Sequence, residues 1–532
     1  MMQRSLISML ALGLSLAVNA QASTPVTNKF IQFAISQEPP QLNGMKATDQ
    51  VSFFVLGHVM EGLTRYSKDG GNEPGVAEKW TIGDKEATFN LRKNAKWSDG
   101  KPVTAKDFVY AWRTVVDPKT ASEYAFIMFP LKNAEKINKG EMKPDALGVK
   151  AVDDYTLKVE FEKPTGYFLS LTAFATYFPV REDFHKKAGE KYGADADKLI
   201  FNGPFTLEEW VHGASLKMPK NQQYWNAKSV KIDGINVPYI TPDNKARFNF
   251  FKDKKVDLLE ALSKNDLPEA QKEKFKLQSF SDGTLLFMEF NFMPGRPTAN
   301  LNLRKAIAAI FNPNEYVSKI IGIPQTKPGK GLVPHWLKGT KASFRSEYPM
   351  PNRKQDLAAA KKYIELAKKE LGGKIPALIW LTGDTPLASQ EAEYWQSEFK
   401  KHLGVELKID KQIFKQRLAK MTAGEFDIVA AGWGPDFADP MTFIELMASW
   451  NENNRGRYKN AEFDKHVRVA QGTAVQKTRM DAMAAAEKIA IDELAILPTY
   501  ERNVIWVKHD RVDGIMRHQI GMDPDFTKAF VK

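Results

Sequence analysis

The segment from Asp356 to Trp433 switches repeatedly between helical and strand periodicity, and this alternation constrains the fold more than any other feature. Asp356 is placed to cap a helix that runs to Leu371, and Gly372-Gly373 stops it. Ala377 to Leu381 reads as a buried strand, and a helix from about Leu387 to His402 follows. Val405 to Ile409 reads as a strand, Ile413 to Thr422 as a helix, and Asp427 to Trp433 as an apolar, fully buried strand. The order predicts an α/β lobe whose strands are covered on both faces. Ligands of such sheets gather at strand carboxyl ends. Here that end is Gly432-Trp433-Gly434-Pro435-Asp436-Phe437.

The chain is longer than one such lobe. At 532 residues it predicts two to four domains, at ~150 residues per domain. Upstream, Tyr155 to Glu162 alternates Leu157, Val159 and Phe161 with charged residues, the pattern of a half-exposed strand stopped at Lys163-Pro164. Thr104 and Asp107 have the spacing of a capping box before the helical repeat Phe108, Ala111, Trp112 and Val115. Trp97 to Lys101 reads as a tight turn before that helix.

The N-terminus predicts export. Met1 to Arg4 is weakly positive, Leu6 to Val18 is apolar, and Asn19-Ala20-Gln21-Ala22 ends in an A-x-A pattern. The apolar run is shorter than the ~20 residues of a membrane span, so the expected outcome is cleavage after Ala22 and no stable membrane insertion. The chain has no cysteine, which excludes disulfides, zinc-thiolate sites and a lipid-modified N-terminal cysteine. A free periplasmic protein is the expectation. The formal charge is +12, but basic residues interleave with acids, as in Lys361, Lys362, Glu365, Lys368, Lys369 and Glu370. That is a solvated helix face, and nucleic acid is not an expected partner.

Motifs for catalysis and metal binding are missing. The eight histidines are scattered, without H-E-x-x-H or other metal-ligand spacing. No G-x-S-x-G elbow, P-loop or G-x-G-x-x-G is present. The expectation is a non-enzyme without metal or cofactor.

The run Leu91 to Trp112, LRKNAKWSDGKPVTAKDFVYAW, resembles the signature of the extracellular solute-binding proteins that serve oligopeptide, dipeptide and nickel importers. Glu61-Gly62-Leu63, Asn202 to Phe205, Tyr224 to Asn226, Phe290-Asn291, Leu303 to Ala306 and Gly432 to Pro440 follow the same family in order. Val116 to Tyr124 and Asp523 to Val531 resemble its oligopeptide branch. The resemblance implies a two-lobed periplasmic binding-protein clamp of the α/β class, with a discontinuous first domain and a third, extra one. Residues 23–60, 184–283 and 502–532 would form domain I, 61–183 the extra domain II, and 284–501 domain III, after a signal peptide at 1–22. It also implies a monomeric receptor that closes about a hinge on a peptide and delivers it to the membrane permease of an ABC importer.

A receptor for many peptides should hold what all peptides share, their backbone and termini. By resemblance, Ala47, Thr48, Asp49 and Gln50 of domain I and Gly432, Trp433 and Gly434 of domain III are edges to which the peptide adds as a strand. Asp436 then receives the α-amino group, whose pKa near ~8 leaves it charged at neutral pH. The plainer alternative is that Asp436 caps the turn before Asp439-Pro440. Tyr124 matches a tyrosine at the same end of the pocket, or is a packed turn aromatic. Glu289 matches a pocket-facing acid, or lies on the outer face of an alternating strand. Phe414 falls where enteric relatives have a pocket tryptophan, and Trp433 lines the pocket or the core, whereas Trp97 and Trp112 read as core.

One departure stands out. Enteric oligopeptide binders neutralise the peptide carboxylate with basic side chains at positions that here hold Ile321, Ala388, Met421 and Ala430. None is basic, so the carboxyl end is expected to sit elsewhere, meet water, or belong to a longer or modified peptide. Two alternatives remain open. One is a receptor of the same fold for a dipeptide, murein peptide, nickel or haem; the other is a periplasmic hydrolase or folding helper.

Overall fold

The computed structural model describes residues 29–68 and 70–532, so the expected export segment, 1–22, lies outside the described residues. The predicted alternation is present. Asp356 accepts the Ala359 N–H at 2.9 Å and starts the helix Leu357–Glu370. The strand Leu378–Thr382 follows, then the helix Pro386–Leu403, whose cap Thr385 accepts the Ala388 N–H at 3.1 Å. The strand Leu407–Lys411, the helix Phe414–Ala423 and the strand Ile428–Trp433 complete the series. Gly404 and Gly424, both at positive φ, end the two later helices. The strands Leu407–Lys411 and Ile428–Trp433 each lie parallel to Leu378–Thr382, as connections through helices require.

Two differences from expectation have physical reasons. Leu407–Lys411 is the sheet's edge strand and is largely exposed. Ile428–Trp433 is not covered throughout: Ala430 is half-buried and Gly432 exposed, because the strand runs beside a large cavity.

This lobe is one half of a larger sheet of 11 strands. Two 13-residue strands, Gln278–Phe290 and Ile496–Lys508, run antiparallel to each other through its centre. Leu285 to Phe290 pairs on its other side with Ile428–Trp433. At the opposite end Lys508 and Val507 pair with Leu258–Leu259, which leads to Phe30–Ile35 and Gly234–Ile240. The register between the long strands breaks between Ser281 and Leu285. Gly283 sits in that break at φ +79, and the Arg502 guanidinium clasps it by donating to Asp282 at 2.5 Å and to the Thr284 hydroxyl at 3.1 Å.

A separate four-stranded sheet is built from Ala77–Ile82, Glu86–Leu91, Thr156–Glu160 and Val149–Asp153. The helix Ala105–Val116 packs on it, and the Asp107 carboxylate accepts the Thr104 N–H at 2.8 Å. Gly100 takes φ +88 in the turn that Trp97 N–H closes on Lys101. Trp97 and Trp112 are both fully buried, and the Trp112 indole donates to the Tyr177 carbonyl at 3.0 Å. Replacing Trp112 by Ala removes a large packed ring and strands that carbonyl. We expect a loss of about 3–5 kcal/mol, read from the chemical-denaturation midpoint.

Candidate functional site

Between the two halves of the large sheet lies a cavity of about 890 Å³. This is at the upper end of what small-molecule sites enclose. Its walls come from both halves: Thr48, Asp49 and Gln50 on one side, and Phe414 with Gly432 to Gly434 on the other. Tyr124, from the part of the chain that carries the four-stranded sheet, closes one end.

The strand Ile428–Trp433 meets this cavity along an incompletely paired edge. Its partner on that side, Leu378–Thr382, contacts only Ile428 and Val429. From Ala430 onward that edge has no strand partner, while the opposite edge is paired as far as Trp433. Both positions flanking Trp433 are tightly surrounded. A Cβ on Gly432 would stand 2.6 Å from Leu286, and one on Gly434 would stand 2.8 Å from the Gln50 amide nitrogen. The last contact joins the two expected peptide-binding segments directly. Trp433 lies parallel to the Tyr124 ring, with centroids 6.2 Å apart and an interplanar angle of 18°.

Asp436 follows two residues after Gly434 and lies just behind the wall, 2% exposed. Its backbone is fixed: the N–H donates to Thr442 Oγ1 at 3.0 Å, and the carbonyl accepts the Tyr66 hydroxyl at 2.9 Å. The Tyr124 hydroxyl donates to Oδ1 at 3.0 Å, and among the described residues the carboxyl makes no ion pair. Burial therefore holds its pKa well above the ordinary carboxylate range, against the weaker opposing effect of the Tyr124 hydrogen bond. The turn-capping task belongs to Asp439. That carboxylate accepts the Met441 N–H at 3.0 Å and pairs with both Arg479 terminal nitrogens at 2.9 and 2.8 Å.

The other expected residues fall into place unevenly. Asp49 lines the cavity, but its carboxylate already caps the helix Gln50–Val59 by accepting Ser52 N–H at 2.8 Å and Ser52 Oγ at 2.7 Å. Burial, partly offset by those hydrogen bonds, pushes its pKa up to about 6. Ala47 is fully buried beneath the wall and donates its N–H to Asn43. Glu289 is not on the cavity wall; its carboxylate accepts the Gly456 N–H at 2.6 Å, and burial pushes its pKa up to about 7. Ile321, Ala388, Met421 and Ala430 all line the cavity. Sequence reasoning missed Arg417 and Arg455, two of the cations that line the cavity. Helical spacing from Phe414, one turn earlier, was the signal that could have found Arg417.

A large cavity between two halves of one sheet, with an open strand edge and a buried carboxyl without an ion pair just behind its wall, is the arrangement of a ligand-binding site. Residues 72–455 match the family model described as bacterial extracellular solute-binding proteins, family 5 middle. The dipeptide-binding protein DppE of Bacillus subtilis is 33% identical, with 96% of each chain covered. The murein peptide-binding protein MppA of Escherichia coli is 33% identical, over 88% of this chain and 86% of its own. Among solved structures, the peptide-bound OppA of Listeria monocytogenes superposes with a TM-score of 0.90 at 33% identity, covering 95% of this chain and 99% of that one. The chain belongs to the family 5 bacterial extracellular solute-binding proteins. Among the described residues no helix is long and apolar enough to cross a membrane, and no cluster of three or more His, Cys, Asp or Glu could hold a metal.

The two aspartates of the site loop should separate experimentally. Asp439→Asn leaves the Arg479 guanidinium buried without its anion, so stability falls by about 3–5 kcal/mol. Asp436→Asn removes a carboxyl that burial already disfavours, so the ligand-free protein melts at or above the wild-type temperature. Calorimetric melts of the two variants check this.

Proposed function

We propose that this chain is the peptide receptor of an ABC importer, binding rather than transforming its ligand. The observation that carries the reading is the Asp436 carboxyl, buried at the cavity's end without a cation of its own. An ammonium entering beside Trp433 and Gly434 supplies that cation. The open edge of Ile428–Trp433 beyond Val429 offers main-chain donors and acceptors, so an extended peptide adds there without its side chains being read. Relatives named as dipeptide-, oligopeptide- and murein peptide-binding proteins support a ligand with a free amine. Ligand-binding roles for Tyr124, Phe414, Trp433 and the Thr48–Asp49 wall belong to the same reading.

The proposed division into domains places the hinge at residues 283/284 and 501/502. It is supported by the register break at Asp282 to Thr284 opposite Arg502, where the two long strands pass between halves. Export to the periplasm, a monomeric state and delivery to a permease complete the proposal.

Linkage gives a test. A bound ammonium lowers the Asp436 pKa, so binding expels a proton wherever the free carboxyl is protonated. Affinity therefore rises with pH from the bound-state value to the free-state value, and falls above ~8 as the peptide amine loses its charge. Titration calorimetry in buffers of different ionisation enthalpy should show proton release that is absent in Asp436→Asn. That variant should also lose the preference for free over N-acetylated peptides. Equal binding of the two peptide forms by the wild type would defeat the assignment.

A further inference from the structure

The described cavity contains a cation whose charge the protein does not neutralise. Arg417 projects from the helix Phe414–Ala423 into the same wall as Ala388, Met421 and Ala430. Its Nη1 donates to the Ala430 carbonyl at 3.1 Å, and its Nε has no partner. No carboxylate among the described residues lies within ion-pair distance. Of the other cations lining the cavity, Arg455 is paired with Glu123 at 3.3 Å, and the Lys264 ammonium is held by the Lys319 and Ile320 carbonyls, both at 2.8 Å. The surrounding donors are also unspent: neither Trp380 Nε1 nor the Thr382 hydroxyl, both on the cavity-lining strand Leu378–Thr382, has a hydrogen-bond partner.

We propose that Arg417 is the ligand-carboxylate site of this cavity, taking the role for which Ile321, Ala388, Met421 and Ala430 are chemically unfit. The proposal rests on the peptide-receptor reading and extends it to the other end of the ligand. A guanidinium suits the task because its fork matches the two oxygens of a carboxylate. Burial lowers the Arg417 pKa to about 10, with the Arg455 charge adding to the effect, so the group stays cationic at neutral pH. The nearby acids that attract it are Asp384 and Glu391. Glu391 is engaged by the Tyr316 hydroxyl at 2.5 Å, and burial pushes its pKa up to about 7, so it is a weak competitor for the guanidinium.

Placement bounds the ligand. Arg417 is tied to Ala430, and Asp436 lies six residues further along the chain. The Cα atoms of Ala430 and Asp436 are therefore at most ~20 Å apart, the length of about six extended residues, and side-chain reach adds a few ångströms at each end. A peptide with its amine at Asp436 and its carboxylate at Arg417 is therefore a short one. A terminal carboxylate and an Asp or Glu side chain of the ligand offer the same chemistry.

The test uses the full mature protein and a library of tri- to hexapeptides, supplied with free carboxyl termini or fully amidated. Retained peptides are identified by mass spectrometry. Wild type should favour free acids over amides by about 10- to 100-fold. Arg417→Gln should lose that preference while keeping the preference for free over acetylated amines, and Arg417→Lys should restore part of it. If amidated peptides containing Asp or Glu are retained above those lacking them, and only with Arg417 present, the carboxylate comes from a side chain. An acid preference that survives Arg417→Gln overturns the proposal. So does a wild type indifferent to amidation but sensitive to acetylation, and the receptor reading then stands alone. If wild type retains no peptide, both readings fall. Arg417→Gln should melt at or above wild type, since the cation it removes has no ion pair, so lost selectivity will not reflect unfolding.

Discussion

The ladder between Gln278–Phe290 and Ile496–Lys508 is the constraint on which the rest of the structure depends. These strands are the shared centre of both halves of the large sheet. Backbone hydrogen bonds of the ladder tie each half of the sheet to its own portion of the two strands. The ladder is interrupted at Asp282 to Thr284, and its register shifts again between Leu286 and Phe287. A bulge of this kind bends a strand and loosens its pairing. The cavity opens beside that break, because Asp282, Thr284 and Arg502 are themselves part of its wall.

The chemistry of the cavity follows from what burial costs. A lone charged carboxylate in an apolar setting is so unfavourable that it takes up a proton instead. Burial pushes the Asp436 carboxyl pKa well above the usual range, and among the described residues its carboxyl has only the Tyr124 hydroxyl as hydrogen-bond partner, whereas Asp439 three residues later is satisfied by Arg479. Two acids on one loop thus differ: Asp439 locks the loop through Arg479, and Asp436 has no cation of its own among the described residues, which is why we propose it for a ligand charge. Arg417 mirrors Asp436 at the other end of the open strand edge, a cation without an anion. A zwitterionic chain laid along Ile428–Trp433 would satisfy both and complete the unpaired edge between them.

Much of this was legible in the sequence where local rules decide the outcome. The helices at Leu357–Glu370, Pro386–Leu403 and Phe414–Ala423 begin and end within two residues of expectation, because a cap or a glycine terminates them. The glycines around Trp433 lie close to Leu286 and Gln50, a proximity that no local sequence pattern specifies. Tertiary approach decided the rest. Glu289 turns toward Gly456, which passes so close that a Cβ there would stand 2.2 Å from the Phe290 carbonyl. No local pattern announces that crossing. Sequence likewise could not decide whether Asp436 caps the turn, because the cap is Asp439, held by Arg479 forty residues away. Arg417 was hidden among the charges of an ordinary amphipathic helix; only the fold shows that its face is the cavity wall.

Native mass spectrometry of the mature protein, purified from its host without refolding, tests the central claim most directly because it weighs the occupant. The account predicts bound masses that dissociate into short peptides with free amino termini, fewer in Asp436→Asn than in wild type. A bound species that is not a peptide, or peptides that shorten during incubation with the protein, would contradict it.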